Sequence, residues 1–101
     1  MIVEFIDEAE QELTEAALWY ESKAYGLGKR FRNEVMKVVS LIVKKPYLWK
    51  ERDGGYRRVN CSIFPYFIAY LIEEQHILIL AVGHVKRNPE YWKSRSTFLT
   101  D

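Results

Sequence analysis

Two neighbouring segments, Tyr66–Ile72 and Ile77–Val82, are aliphatic or aromatic at every position, and only the polar run Glu73-Glu74-Gln75-His76 divides them. Runs of this length read as strands buried on both faces and joined in a hairpin. Along the first, Tyr66, Ile68, Tyr70 and Ile72 share one face, and Phe67, Ala69 and Leu71 share the other. A sheet built on this hairpin needs cover on both sides. That requirement constrains the rest of the chain.

The upstream sequence offers cover for one side. Residues 2–6, Ile-Val-Glu-Phe-Ile, read as a first strand. Asp7 and Glu10 form an Asp-x-x-Glu variant of the capping box that opens a helix. Ala9, Leu13, Ala16, Ala17 and Tyr20 then recur at helical spacing. The two glycines of Tyr25–Gly28 end this helix. Phe31, Val35, Val38 and Ile42 form the apolar stripe of a second, with Arg30, Lys37 and Lys44 seven residues apart on another face, and Pro46 stops it. So short a connection makes the two helices antiparallel neighbours. After a loop over 47–55, Val59, Cys61 and Ile63 alternate with Arg58, Asn60 and Ser62 as in a half-buried strand. The expected fold is α+β: an N-terminal strand, an antiparallel helical hairpin, a mostly antiparallel sheet of three further strands and a short basic tail, in one domain over 1–101. The helices cover one face. The other falls to the tail or to a second chain.

Bulk properties narrow the class. A chain of 101 residues holds one modest core. Cys61 is the single cysteine, so no internal disulfide forms, and no paired Cys/His spacing points to a metal or other cofactor. No apolar run approaches the roughly 20 residues of a membrane span, and the reading is a cytoplasmic protein. The net charge of +1 conceals a division: residues 1–22 sum to −7, with no Lys or Arg, and the remainder sums to +8. Such sidedness bears on partners more than on fold.

The stretch Ile79–Arg95 begins as a buried strand and runs directly into His84, Lys86, Arg87, Tyr91, Trp92, Lys93 and Arg95. Aromatics interleaved with cations suit base stacking and phosphate contact. The structural alternatives are equally concrete. His84 closes the sheet through a hydrogen bond, Trp92 packs on the sheet to pin the tail, and Arg57, on the core-side face of its strand, snorkels to solvent. Trp19 and Tyr20 read as core or helix-pair packing, and Cys61 as a small buried hydrophobe.

Three segments, Glu15–Phe31, Phe64–Ile72 and Ile79–Trp92, in this order and spacing, resemble the RelE/ParE superfamily of type II toxins, ParE-like more than RelE-like. The resemblance runs from Ile2 to about Arg95. It implies a growth-inhibiting toxin of a plasmid-stabilisation type system, held in a hetero-oligomer by a small antitoxin. It also implies one of two targets. ParE-like members poison DNA gyrase. RelE-like members cleave mRNA on the ribosome without a metal, using a Lys/Arg cluster with a C-terminal Tyr or His. Arg58 stands near the position of a strand cation in the nuclease branch. Asn60 stands where a second cation is expected, and Phe67 where an arginine follows Tyr.

Metal-free RNA cleavage requires a base for the 2′-hydroxyl, an acid for the leaving oxygen and cations for the phosphorane. On the nuclease reading Arg58, His84, Arg87 and Tyr91 supply these. Arg57, Lys86, Trp92, Lys93, Arg95, Tyr66, Ile68 and Tyr70 are the candidates for target or antitoxin contact. A non-toxic nucleic-acid-binding module is the third reading, opposed by the repulsion between an acidic first helix and a phosphate backbone.

Overall fold

The computed structural model describes residues 1–88 and 91–98, the last three as backbone, so the end of the expected domain lies partly outside the described residues. Strand β1, Ile2–Phe5, passes through extended Ile6 directly into helix α1, Asp7–Lys23. The expected capping box does not form. Ile6 takes the N-cap position and accepts the first helical hydrogen bond from Glu10 N, so Asp7 is already helical. Asp7, Glu8 and Glu10 instead lie in the first turn, where the helix dipole favours anions.

Helix α2, Leu27–Lys44, returns beside α1. Gly26 makes the turn at φ 81°, a left-handed conformation that glycine adopts without strain. Glu21 reaches across the turn and accepts hydrogen bonds from the backbone N–H groups of Gly26 and Gly28, each at 3.0 Å, which caps α2. The helices meet at Ala17. Gly28 permits this approach, since a Cβ there would collide with the Ala17 carbonyl oxygen.

Strands β2 (Tyr56–Asn60), β3 (Tyr66–Glu73) and β4 (His76–His84) complete a four-stranded sheet in the order β1-β4-β3-β2. Only the β1–β4 pair is parallel. The α+β architecture expected from the sequence is the one observed. The strand expected to continue through Ser62 and Ile63 stops at Asn60, because Glu34 draws those residues out of line. Its carboxylate accepts hydrogen bonds from Ser62 Oγ (2.8 Å), Ser62 N (3.0 Å) and Ile63 N (3.4 Å). Ile63 is consequently exposed. Cys61 is half-buried, and burial, with Glu34 nearby, pushes its thiol up to about 11, far from a reactive thiolate.

The sheet has a core on each side. On the helix side Phe31, Val35 and Ile42 of α2 pack with Ile68, Tyr70, Ile77 and Ile79 of the sheet. Against the tail lie Tyr56, Phe67, Ala69, Leu71, Leu80, Ala81 and Trp92. A bulge at Leu80 puts Leu80 and Ala81 together on the tail side. The second face is therefore covered by the chain's own tail, not by another chain. Trp92 is 1% exposed and meets the Tyr56 ring edge-on at 4.4 Å. The expectation that Ile68 and Tyr70 contact a partner is corrected by the same packing. Both are wholly buried under the helices, and the Tyr70 hydroxyl donates to the Pro46 carbonyl at 2.7 Å.

The Ser62 hydroxyl and then the two backbone N–H groups hold the Glu34 carboxyl below the usual carboxylate range, against the opposing effect of burial. A carboxylate whose folded pKa is depressed stabilises the protein above its unfolded pKa, and the stabilisation is lost as pH falls through the folded value. Glu34→Gln is expected to destabilise by about 1–3 kcal/mol at pH 7. The difference from wild type should shrink below about pH 4, as measured by urea denaturation across pH.

Candidate functional site

The site is built where β1 runs out. Beyond Ile79, β4 has no neighbour on the β1 side, so Val82 N–H and Leu80 C=O need other partners. Glu12, on the inward side of α1, supplies one. Its Oε1 accepts from Val82 N at 3.0 Å. The tail supplies the other through Arg95 Nη1, which donates to Leu80 O at 3.0 Å and to Glu12 Oε1 at 3.0 Å. Arg95 Nη2 donates to Glu12 Oε2 at 3.1 Å, completing a two-pronged pair in which both side chains are mostly buried. The Tyr91 hydroxyl donates to the same Oε2 at 2.6 Å, and Arg87 lies 3.7 Å from it. One carboxylate thus ties α1, the open edge of β4 and the tail together.

Tyr91 lies over Gly83, where any Cβ would be 2.6 Å from the phenol oxygen and 2.7 Å from Phe67. Arg87 stacks on the Tyr91 ring at 3.7 Å, with Arg95 at 5.1 Å. Burial, and then the Glu12 hydrogen bond, push the Tyr91 phenol well above its usual range. Further along the same face the Arg58 guanidinium covers the Phe67 ring at 3.9 Å, and its Nε donates to Asn60 Oδ1 at 3.2 Å. Phe67 therefore supplies a platform for a cation from the neighbouring strand.

His84 belongs to the opposite face. It pairs in register with Tyr66 and meets that ring edge-on at 5.2 Å, on the helix side of the sheet. Its Nδ1 accepts from Lys86 N at 3.0 Å, which places the proton of the neutral ring on Nε2. His84, Arg87 and Glu12 border a cleft of about 550 Å³ whose walls are Ala16, Trp19, Tyr20, Pro65 and Tyr66. Trp19 is expected in the core or between the helices. It is instead 55% exposed at the rim of this cleft, because Tyr20 takes the inward position against Phe31 and Phe64.

The other predicted residues have plainer roles. Arg57 turns to the helix side, donates to Trp49 O at 2.7 Å and lies 3.5 Å from Glu51, so it braces the loop before β2. Trp92 packs on the sheet, as one of its two readings held, and offers a partner no surface. Lys93 extends over the Tyr56 ring at 5.6 Å, and Lys86 is exposed. Of the four nuclease candidates, Arg58 and Tyr91 adjoin the tail side of the sheet and His84 lies on the helix side, while Arg87, stacked on Tyr91, also borders the cleft that His84 borders. None of Glu12, Glu21 and Glu34 is singled out in the sequence reading. A signal existed for two of them: Glu12 falls between Ala9, Leu13 and Ala16, and Glu34 between Phe31, Val35 and Val38, so each acid sits on an apolar stripe.

Residues 3–89 match the family model of the ParE toxin of the type II toxin-antitoxin system, parDE. The chain belongs to this toxin family. Two solved structures share its fold. The chromosomal ParDE toxin-antitoxin system from P. aeruginosa superposes with a TM-score of 0.71 at 15% identity, covering 83% of this chain and 95% of that one. The isolated E. coli RelE toxin superposes with a TM-score of 0.64 at 14% identity, covering 96% and 97%. No curated protein matches the sequence. Among the described residues no helix of this toxin is long and apolar enough to cross a membrane, and no three His, Cys, Asp or Glu side chains converge as a metal site.

Glu12→Ala leaves Arg95 facing β4 without its counter-charge and Val82 N–H without an acceptor. The expected cost is about 3 kcal/mol in urea denaturation. In a Trp19→Phe/Trp49→Phe background the same change should release the tail, so that iodide quenches Trp92 fluorescence that it cannot reach when Glu12 is present.

Proposed function

We propose that this toxin acts as a ParE-like inhibitor of DNA gyrase and is neutralised by a small antitoxin with which it forms a hetero-oligomer. The observation that carries the reading is the separation of its acid–base candidates. His84 faces the helix-side cleft, whereas Arg58 and Tyr91 adjoin the tail-side face. A nuclease needs them around one phosphate. The Tyr91 proton is committed to Glu12, and the same carboxylate draws on the charge of Arg87 and Arg95. Asn60 and Phe67, where the nuclease branch carries cations, agree with this reading.

The RelE-like reading rests on Arg87, which stacks on Tyr91 and borders the cleft with His84, and is the alternative. The antitoxin, on our reading, sets apolar side chains into the cleft beside Trp19, Tyr20 and Tyr66, since the hairpin face once expected to need cover already has it. The chain works as one domain in the cytoplasm.

Induction of the toxin alone should arrest bacterial growth, with blocked supercoiling, DNA damage and intact mRNA by primer extension. Co-expression of the antitoxin should restore growth. Were it a nuclease, Arg58→Ala would remove a phosphorane contact and cost about 10²–10³ in rate. Ribosome-dependent cuts that vanish in Arg58→Ala would overturn the gyrase reading.

A further inference from the structure

The outward face of α2 carries Lys29, Arg30, Arg32, Lys37 and Lys44, all exposed, and no exposed acid. The helix has one acidic residue, Glu34, which is turned inward and occupied by Ser62 and Ile63. Apart from the attraction between Lys37 and that buried carboxylate, none of the five cations is in an ion pair among the described residues. On the sheet and tail, Arg57, Arg58, Arg87 and Arg95 each have a carboxylate, carbonyl, amide or ring partner. The helix therefore presents a set of exposed cations with no exposed acid of its own among them.

Its geometry is a straight row. Arg30, Lys37 and Lys44 are seven residues apart, so they drift only about 20° around the axis per step and rise about 10.5 Å, spanning about 21 Å. The exposed apolar residues Met36 and Leu41 are five apart, about 140° around the helix, and so flank the charged face on opposite sides. The centre of the face therefore lacks the apolar, charge-poor patch on which a protein interface is built. Nor does the face carry an aromatic, since Phe31 is buried, and a single-stranded nucleic acid would find no stacking platform. A rigid row of cations without an apolar seam or a ring fits a rigid polyanion, which presents one charge per about 1.7 Å of its axis. The acids of α1 do not cancel the attraction. They project from the neighbouring helix, whose axis is about 8–10 Å away, close to the Debye length at physiological salt.

We propose that α2 docks this toxin on the phosphate backbone of duplex DNA, without regard to sequence. The inference is independent of the gyrase reading, because it concerns DNA alone. The test is fluorescence anisotropy of a labelled 20-base-pair duplex titrated with the purified chain from 50 to 200 mM KCl. Three to five neutralised phosphates predict a slope of log K against log salt of about −3 to −4.5, with equal affinity for duplexes of scrambled sequence. Arg30→Gln, Lys37→Gln and Lys44→Gln singly should each reduce the slope by about 1. The triple variant should bind at least tenfold more weakly at 50 mM, with an unchanged melting temperature. The proposal fails if wild type does not bind at 50 mM salt, or if the triple variant and the three single variants bind with the wild-type slope. It also fails if polyglutamate displaces the duplex at equal charge concentration, which would make the face a protein-binding one, or if duplex RNA binds more tightly than DNA.

Discussion

The carboxylate of Glu12 solves a problem set by the shortness of β1. That strand pairs with β4 only from Ile2 to Phe5, and the chain then turns into α1. The remainder of β4 is left with an open edge inside the protein, where unpaired backbone groups are costly. Glu12 comes back to that edge one and a half turns into α1 and satisfies Val82, and the charge it brings must itself be compensated. Arg95 and Tyr91 provide this, with Arg87 at the margin. The path of the tail across the second sheet face follows from the same pairing: an arginine fixed at Leu80 and Glu12 leaves Trp92, three residues earlier, over Tyr56 and Leu80.

The functional surface is organised by that path. Alternation along β4 puts Gly83 and His84 on opposite sides, so the tail that brings Tyr91 over Gly83 cannot also bring it to His84. The helix-side cleft keeps an imidazole, exposed Trp19 and a wall of aromatic rings, suited to receiving apolar side chains. The tail side keeps stacked arginines whose rings and acids are all internal. Cations held in this way stabilise the fold, whereas those of α2 face outward.

Two acids have the same structural logic. Glu12 and Glu34 both lie on the apolar stripes of their helices, both accept backbone N–H groups from segments that leave regular strand pairing, and both recruit side-chain donors. Each marks a place where the sheet ends before the chain has left the core. The β2 strand stops at Asn60 for this reason, although its alternation continues to Ile63.

Helix stripes, glycine turns and two-sided apolar strands are local patterns, and from them the sequence determined the element order, the helical hairpin, the division of Tyr66–Ile72 into two faces and the need for cover on both. The three quoted segments also carried the resemblance to the toxin superfamily. The tertiary structure alone decided what covers the second face, because Trp92 reaches Tyr56 only when Arg95 finds Glu12, 83 residues away. It alone set Trp19 at a cleft and Ile68 and Tyr70 beneath the helices, since which of two faces meets the helices depends on packing between distant segments. And it alone separated His84 from Arg58 and Tyr91. Chemical type is written residue by residue, but whether two side chains share a site depends on register, bulges and strand ends, which are fixed only when the whole sheet closes.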